Sequence, residues 1–119
     1  MKLYESGEMY LETILILSNK IKNVRAIDIV TEMGFSKPAV SRAMNKLKND
    51  KYIIIDHDGF ITLSETGRKV AENVYEKHQI LTKFLLKLGV SENTASIDAC
   101  KIEHDISEET FDAIKNQLK

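Results

Sequence analysis

Near one end of the chain, Cys100-Lys101-Ile102-Glu103-His104 places a thiol, a carboxylate and an imidazole at positions i, i+3 and i+4. On a helix these positions share a face, so the three side chains converge on one spot. Thiolate, carboxylate and imidazole are donors for a divalent transition metal. The pattern alone is weak, because a single cysteine usually packs as a small core residue and a Glu-His pair usually faces solvent. Two other places strengthen it. Met9 and Glu12 are i, i+3 neighbours in the first helical pattern, and His78 interrupts the apolar stripe Val70, Val74, Leu81, Leu85, where an imidazole needs a partner. Each has a plainer reading: Met9 as core filler, Glu12 as a solvated charge, His78 as a hydrogen-bonded core histidine. No activated nucleophile or oxyanion-hole pattern accompanies these groups, so hydrolysis with Glu103 as general base finds little support and no enzyme is expected.

A second set of residues suits nucleic acid. Ser36, Lys37, Pro38, Ser41, Arg42, Asn45, Lys46 and Lys48 fall on the polar side of a helical pattern whose other side is Val40, Met44 and Leu47. Among them Lys37, Ser41, Arg42, Asn45, Lys46 and Lys48 are the donors with which a helix enters a major groove and grips the flanking phosphates. Ser36 is a natural N-cap, and Pro38 sits in the first turn, where its missing N–H costs nothing. Just before, Arg25 leads into a shorter helix with an apolar face of Ile27, Ile29, Val30 and Met33; Gly34 breaks it and Phe35 anchors the turn. Residues 26–49 therefore read as a DNA-binding helix-turn-helix, against the plainer alternative of a two-helix corner with a solvated basic face.

The flanking sequence must position both sets. Ser6 can cap a helix from about Gly7 to Asn19 with Tyr10, Leu11, Ile14, Leu15 and Leu17 as its apolar surface. Lys20 to Val24 is a connector. After Asn49, the run Tyr52 to Ile55, the turn Asp56-His57-Asp58-Gly59 and the run Phe60 to Leu63 predict a β-hairpin, which directly behind a helix-turn-helix makes a wing. Ser64 caps a long helix reaching about Leu88, with Gly89 as its stop. Helices from about Glu92 to His104 and from Glu108 to Leu118 follow, the last capped by Ser107 and showing Phe111, Ile114 and Leu118. The expected fold is mainly α with a small β-hairpin wing: a winged helix-turn-helix DNA-binding domain over residues 1–72, then a helical metal-binding and dimerisation domain over 73–119. Short amphipathic helices cannot bury both sides alone. A symmetric homodimer through residues 85–119 would cover them and set two reader helices on successive major grooves of a palindromic double-stranded site.

Composition bounds these expectations. A chain of 119 residues with 43% hydrophobic content suffices for one compact core and a small second subdomain. Its apolar runs, such as Ile14 to Leu17, are too short for a bilayer, and no signal-peptide pattern opens the sequence; no membrane partner and a cytoplasmic location are expected. One cysteine excludes an internal disulfide framework and fits a reducing compartment. The net charge of −1 conceals an asymmetry: residues 20–52 carry eight Lys/Arg against three Asp/Glu, and residues 86–119 four against seven. Phosphate would attract the first segment and repel the second.

Five segments carry a wider likeness: GEMYLETI (7–14), SKPAVSRAMNKL (36–47), ITLSETGRKVA (61–71), KHQILTKFL (77–85) and DACKIEHDIS (98–107). Over nearly its whole length the sequence resembles the metal-dependent repressors typified by the diphtheria toxin repressor and the manganese transport regulator. EMY near the start together with DACxxEH near the end is the most specific part. The resemblance implies an N-terminal winged helix, a helical dimerisation domain, and a divalent metal that permits operator binding. By position, the primary site of the iron-type members corresponds to Met9, Cys100, Glu103 and His104. Of the helical-region ligands of their ancillary site only His78 is matched, Thr82 standing for a Glu and Ser96 for a His. The manganese-type pattern has Asp and Glu at the positions of Met9 and Cys100, and shares Glu12, His78, Glu103 and His104. This chain is a hybrid of the two. Neither the SH3-like third domain of iron-type members nor the longer helical continuation of manganese-type ones lies within these residues. Thioether and thiolate are soft donors that disfavour manganese, so iron(II) is the expected metal, with manganese, cobalt, nickel or zinc as the other candidates. The implied function is a repressor controlling metal-ion homeostasis. The alternative is a winged-helix regulator or protein-interaction module that needs no metal.

Overall fold

The computed structural model describes residues 5–119, the side chain of Glu5 excepted. In chain order the elements are α1 (Glu5–Lys20), α2 (Ala26–Met33), α3 (Lys37–Asn49), β1 (Ile53–Ile55), β2 (Ile61–Leu63), α4 (Glu65–Lys87), α5 (Glu92–Ile102) and α6 (Glu108–Gln117). They divide into two compact units, Met1–Glu72 and Asn73–Lys119. The architecture is mainly helical: three helices and a hairpin wing, then a helical region. Among the described residues no helix is long and apolar enough to cross a membrane.

In the first unit, Tyr10, Leu11, Ile14, Leu15 and Leu17 of α1 are buried with Ile29 of α2 and Val40, Met44 and Leu47 of α3. Two local expectations need correction. Ser6 lies inside α1 and does not cap it. Ile27 is 49% exposed, because at about 100° per residue it points some 200° away from Ile29 and cannot share its face. The turn after α2 is closed by Gly34, whose φ of 71° lets its N–H donate to the Val30 carbonyl at 2.9 Å. Phe35 beyond it meets the Tyr10 ring edge-on, centroids 5.9 Å apart.

The wing pairs Ile53 with Leu63, Ile54 with Thr62 and Ile55 with Ile61. Its turn is held by Asp56, whose Oδ1 accepts from the backbone N–H of Asp58 (2.9 Å) and Phe60 (3.0 Å). The connector contributes as well: the Ile61 N–H donates to the Val24 carbonyl at 2.7 Å, an isolated antiparallel bridge beside the two-stranded sheet. Ser64 joins the wing to α4. Its hydroxyl donates to the carbonyls of Lys51 and Tyr52 and accepts from the Gly67 N–H, capping the helix while tying it to the strand entry.

In the second unit the core is formed by Val74 and Leu81 of α4, Ala95 and Ala99 of α5 and Phe111 of α6. Gly89, with φ at 99°, ends the segment after α4. Ser107 caps α6 by accepting from the Thr110 N–H at 3.1 Å. The helix predicted to reach His104 stops at Ile102, so Glu103 and His104 occupy the turn that follows.

Candidate metal centre and nucleic-acid interface

Helix α3 separates its two chemistries cleanly. Val40, Met44 and Leu47 are buried, while Lys37, Pro38, Ser41, Arg42, Asn45, Lys46 and Lys48 are exposed. Ser36 is the N-cap: its hydroxyl accepts from the Ala39 N–H at 3.3 Å. One lone pair is thus used by the helix, and the O–H remains a donor. Pro38 lies in the first turn, and Lys46 and Lys48 in the last, where their charge complements the helix dipole. Arg42 reaches toward Tyr10, whose phenol burial pushes up in pKa and the Arg42 charge partly draws back down. Arg25, exposed at the start of α2, lies over the Phe60 ring at 4.6 Å. That cation–π contact fixes one face of the guanidinium against the wing. Nothing in the local sequence announced it, since the two residues are far apart in the chain.

The other cluster lies in the second unit. A sulfur of Cys100, an oxygen of Glu103 and a ring nitrogen of His104 all fall within 4.8 Å of one another. Cys100 sits on the last turn of α5, and the turn after Ile102 continues the helical sense far enough to keep the carboxylate and imidazole beside it. From α4, His78 Nδ1 lies 2.9 Å from Glu103 Oε2. On the other side, His104 Nε2 lies 3.4 Å from Glu103 Oε1. The Glu103 carboxylate is 0% exposed, and its Oε1 accepts no hydrogen bond from any described residue. A carboxylate buried in this way costs several kcal/mol unless a cation compensates it. The tautomer that carries hydrogen on Nδ1 lets His78 donate to this carboxylate, and a metal cation among these donors would compensate its burial further. The sulfur, carboxylate and imidazole of Cys100, Glu103 and His104 fit a divalent transition metal, and His78 approaches the same carboxylate from α4. Met9 and Glu12 lie on α1 in the first unit, three residues apart and partly buried. Thr82, in the place where an ancillary carboxylate was sought, donates its hydroxyl to the His78 carbonyl at 2.7 Å.

One side chain near this cluster was not singled out from the sequence. Lys77, beside His78, is 8% exposed and places its Nζ 2.7 Å from Glu108 Oε1. A lysine on a helix carries no local sign that it will be buried.

Residues 2–60 match the iron dependent repressor N-terminal DNA binding domain, and residues 64–119 the iron dependent repressor metal binding and dimerisation domain. The transcriptional regulator MntR of Escherichia coli O6:H1 is 36% identical over 106 residues, covering 89% of this chain and 68% of that protein. Among solved structures, the manganese regulator SloR superposes with a TM-score of 0.84 at 26% identity, over 99% of this chain and 54% of that one. A manganese-dependent transcriptional repressor in complex with manganese gives a TM-score of 0.85 at 25% identity, over 94% and 52%. The chain spans about half the length of these two structures.

Proposed function

This chain belongs to the iron-dependent repressor family, that of the diphtheria toxin repressor and the manganese transport regulator, and we propose on that premise that it is a repressor whose hold on an operator depends on a divalent metal. Residues 1–72 bind the DNA; residues 73–119 hold metal and pair two copies. The observation that carries the reading is the wholly buried Glu103 carboxylate between two imidazoles and beside a thiol. His78, Cys100, Glu103 and His104 hold the ion, and Met9 and Glu12 of α1 join them, as the family resemblance implies. When bound, the metal would supply positive charge beside the buried Glu103 carboxylate.

The exposed face of α3 does the reading. Ser36, Lys37, Pro38, Ser41 and Arg42 stand at or near its N-terminal end, the part that approaches base edges in a docked helix-turn-helix, with Asn45 and Lys46 further along and Arg25 at the wing. A homodimer presents two such helices to a palindromic operator.

Iron(II) is the proposed physiological ion. The two solved relatives described above are named for manganese, but Met9 and Cys100 put thioether and thiolate where a manganese site uses oxygen, and manganese(II) gains least from sulfur. The test is operator binding by fluorescence anisotropy under anaerobic conditions, with chelator, iron(II) or manganese(II). Binding that needs iron(II) and responds poorly to manganese(II) is expected. Equal binding in chelator would remove metal dependence, and equal activation by manganese(II) would remove the iron assignment alone.

A further inference from the structure

We propose that Lys77 is a positioning residue for the metal donors, acting through α6. The inference rests on the metal-site reading above. Glu103 and His104 belong to no regular element; they occupy the turn between the end of α5 and the start of α6. The geometry of such a turn is set by what holds its two flanking helices. Helix α5 is held by Ala95 and Ala99, both buried. Helix α6 has ten residues, too few for a stable helix in isolation, so side chains that tie it to α4 decide its place.

Those ties are specific. Phe111 is buried, Lys77 Nζ lies 2.7 Å from Glu108 Oε1 and 5.8 Å from the centre of the Phe111 ring, and Lys115 Nζ lies 3.3 Å from Glu76 Oε1. The two ion pairs run in opposite senses. On α4 the acid Glu76 precedes the base Lys77, and on α6 the acid Glu108 precedes the base Lys115. Reversing α6 would set Lys115 against Lys77 and Glu108 against Glu76, so the charges specify direction as well as position. Of the two pairs, the one made by the buried Lys77 is the firmer, because a lysine removed from water must keep its partner.

Lys77 also stands where this matters. The next residue on α4 is His78, 2.9 Å from Glu103, and Glu108 is the first residue of α6. One α4 residue therefore faces the buried carboxylate, and its neighbour pins the far end of the turn carrying that carboxylate and His104. Cutting the pair frees the first turn of α6 and loosens residues 103–107.

The test uses the full chain and cobalt(II) as probe, because a cobalt–thiolate bond gives charge-transfer absorption and the visible ligand-field bands report donor geometry. Lys77→Glu, and the milder Glu108→Gln at an exposed partner, should lower cobalt(II) affinity by about tenfold to a hundredfold, as loss of an outer support does. Both should also change the visible bands. Lys77→Glu/Glu108→Lys should recover most of the affinity and the parent spectrum. Circular dichroism with chelator present separates these effects from unfolding. Should Lys77→Glu not fold, Glu108→Gln carries the test. A wild type lacking the thiolate band overturns the metal reading and the clamp with it. A wild type with the band, together with folded single variants of unchanged spectrum and affinity, overturns the clamp alone; so does a folded charge-swapped variant as weak as the singles.

Discussion

Arg42 and Lys46 are four residues apart on the exposed face of α3, yet they should fail differently. Arg42→Ala should cost about 1–3 kcal/mol of operator binding and relax sequence preference, as loss of a base-edge contact does. Lys46→Ala should weaken binding to all sequences alike and reduce the salt slope by about one unit, as loss of a phosphate contact does. Titrations on an operator and on unrelated DNA at several salt concentrations separate the two. On the proposed ligand set, exchanging Met9 and Cys100 for Asp and Glu should shift the response from the proposed iron(II) toward manganese(II), because the change replaces soft donors with hard ones. Anaerobic titration of each metal against both single variants and the double variant checks this, with intermediate singles expected since neighbouring ligands couple. Residue type and spacing proposed the DNA-facing positions, and the family resemblance the exchange at Met9 and Cys100. Type and spacing were not enough to place Ile27, which was counted with Ile29 and stands instead in solvent.

At the scale of elements, the junction between wing and α4 offers a test in which two effects oppose each other. Gly67 lies within α4, where alanine would ordinarily stabilise by up to about 1 kcal/mol. A Cβ there would meet the Tyr52 carbonyl oxygen at 1.9 Å, and that oxygen belongs to backbone fixed by Ser64. Overpacking against an atom that cannot move aside costs about 1–3 kcal/mol, so Gly67→Ala should destabilise the chain in urea unfolding. The opposite sign is expected just upstream. Lys51 takes a φ of 67° after α3, a conformation costing a side-chain-bearing residue about 1–2 kcal/mol. Lys51→Gly should raise the melting temperature, the relief outweighing the added freedom of the unfolded chain, which is about 0.4–1 kcal/mol. The hairpin was legible because its signals are local: β-branched residues on both sides of an Asp-Gly turn. The bridge from Val24 to Ile61 was not, since a connector gives no sign of its partner.

For the whole molecule, the apolar surface left on the helical unit is the quantity to test. Leu88 is 65% exposed, and Leu86 and Ile97 are exposed with it. Leu88→Lys together with Ile97→Lys should shift sedimentation from dimer toward monomer and weaken operator binding, because two linked reader helices hold DNA far more tightly than one. Metal and operator should help each other by the same factor, a reciprocity that thermodynamic linkage requires. What the sequence determined by itself was set by near neighbours: most of the helix periods, the caps at Ser36, Ser64 and Ser107, the wing, the polar face of α3, and the closeness of Cys100, Glu103 and His104, which lie within a few residues of one another. What only the tertiary structure decided was the set of pairings between residues remote in sequence. It brought His78 against the Glu103 carboxylate, sealed that carboxylate from water, laid Arg25 on Phe60, and buried Lys77 against Glu108. The physical reason is that burial and charge compensation depend on which helix arrives opposite a side chain, and periodicity along one helix carries no information about its neighbour.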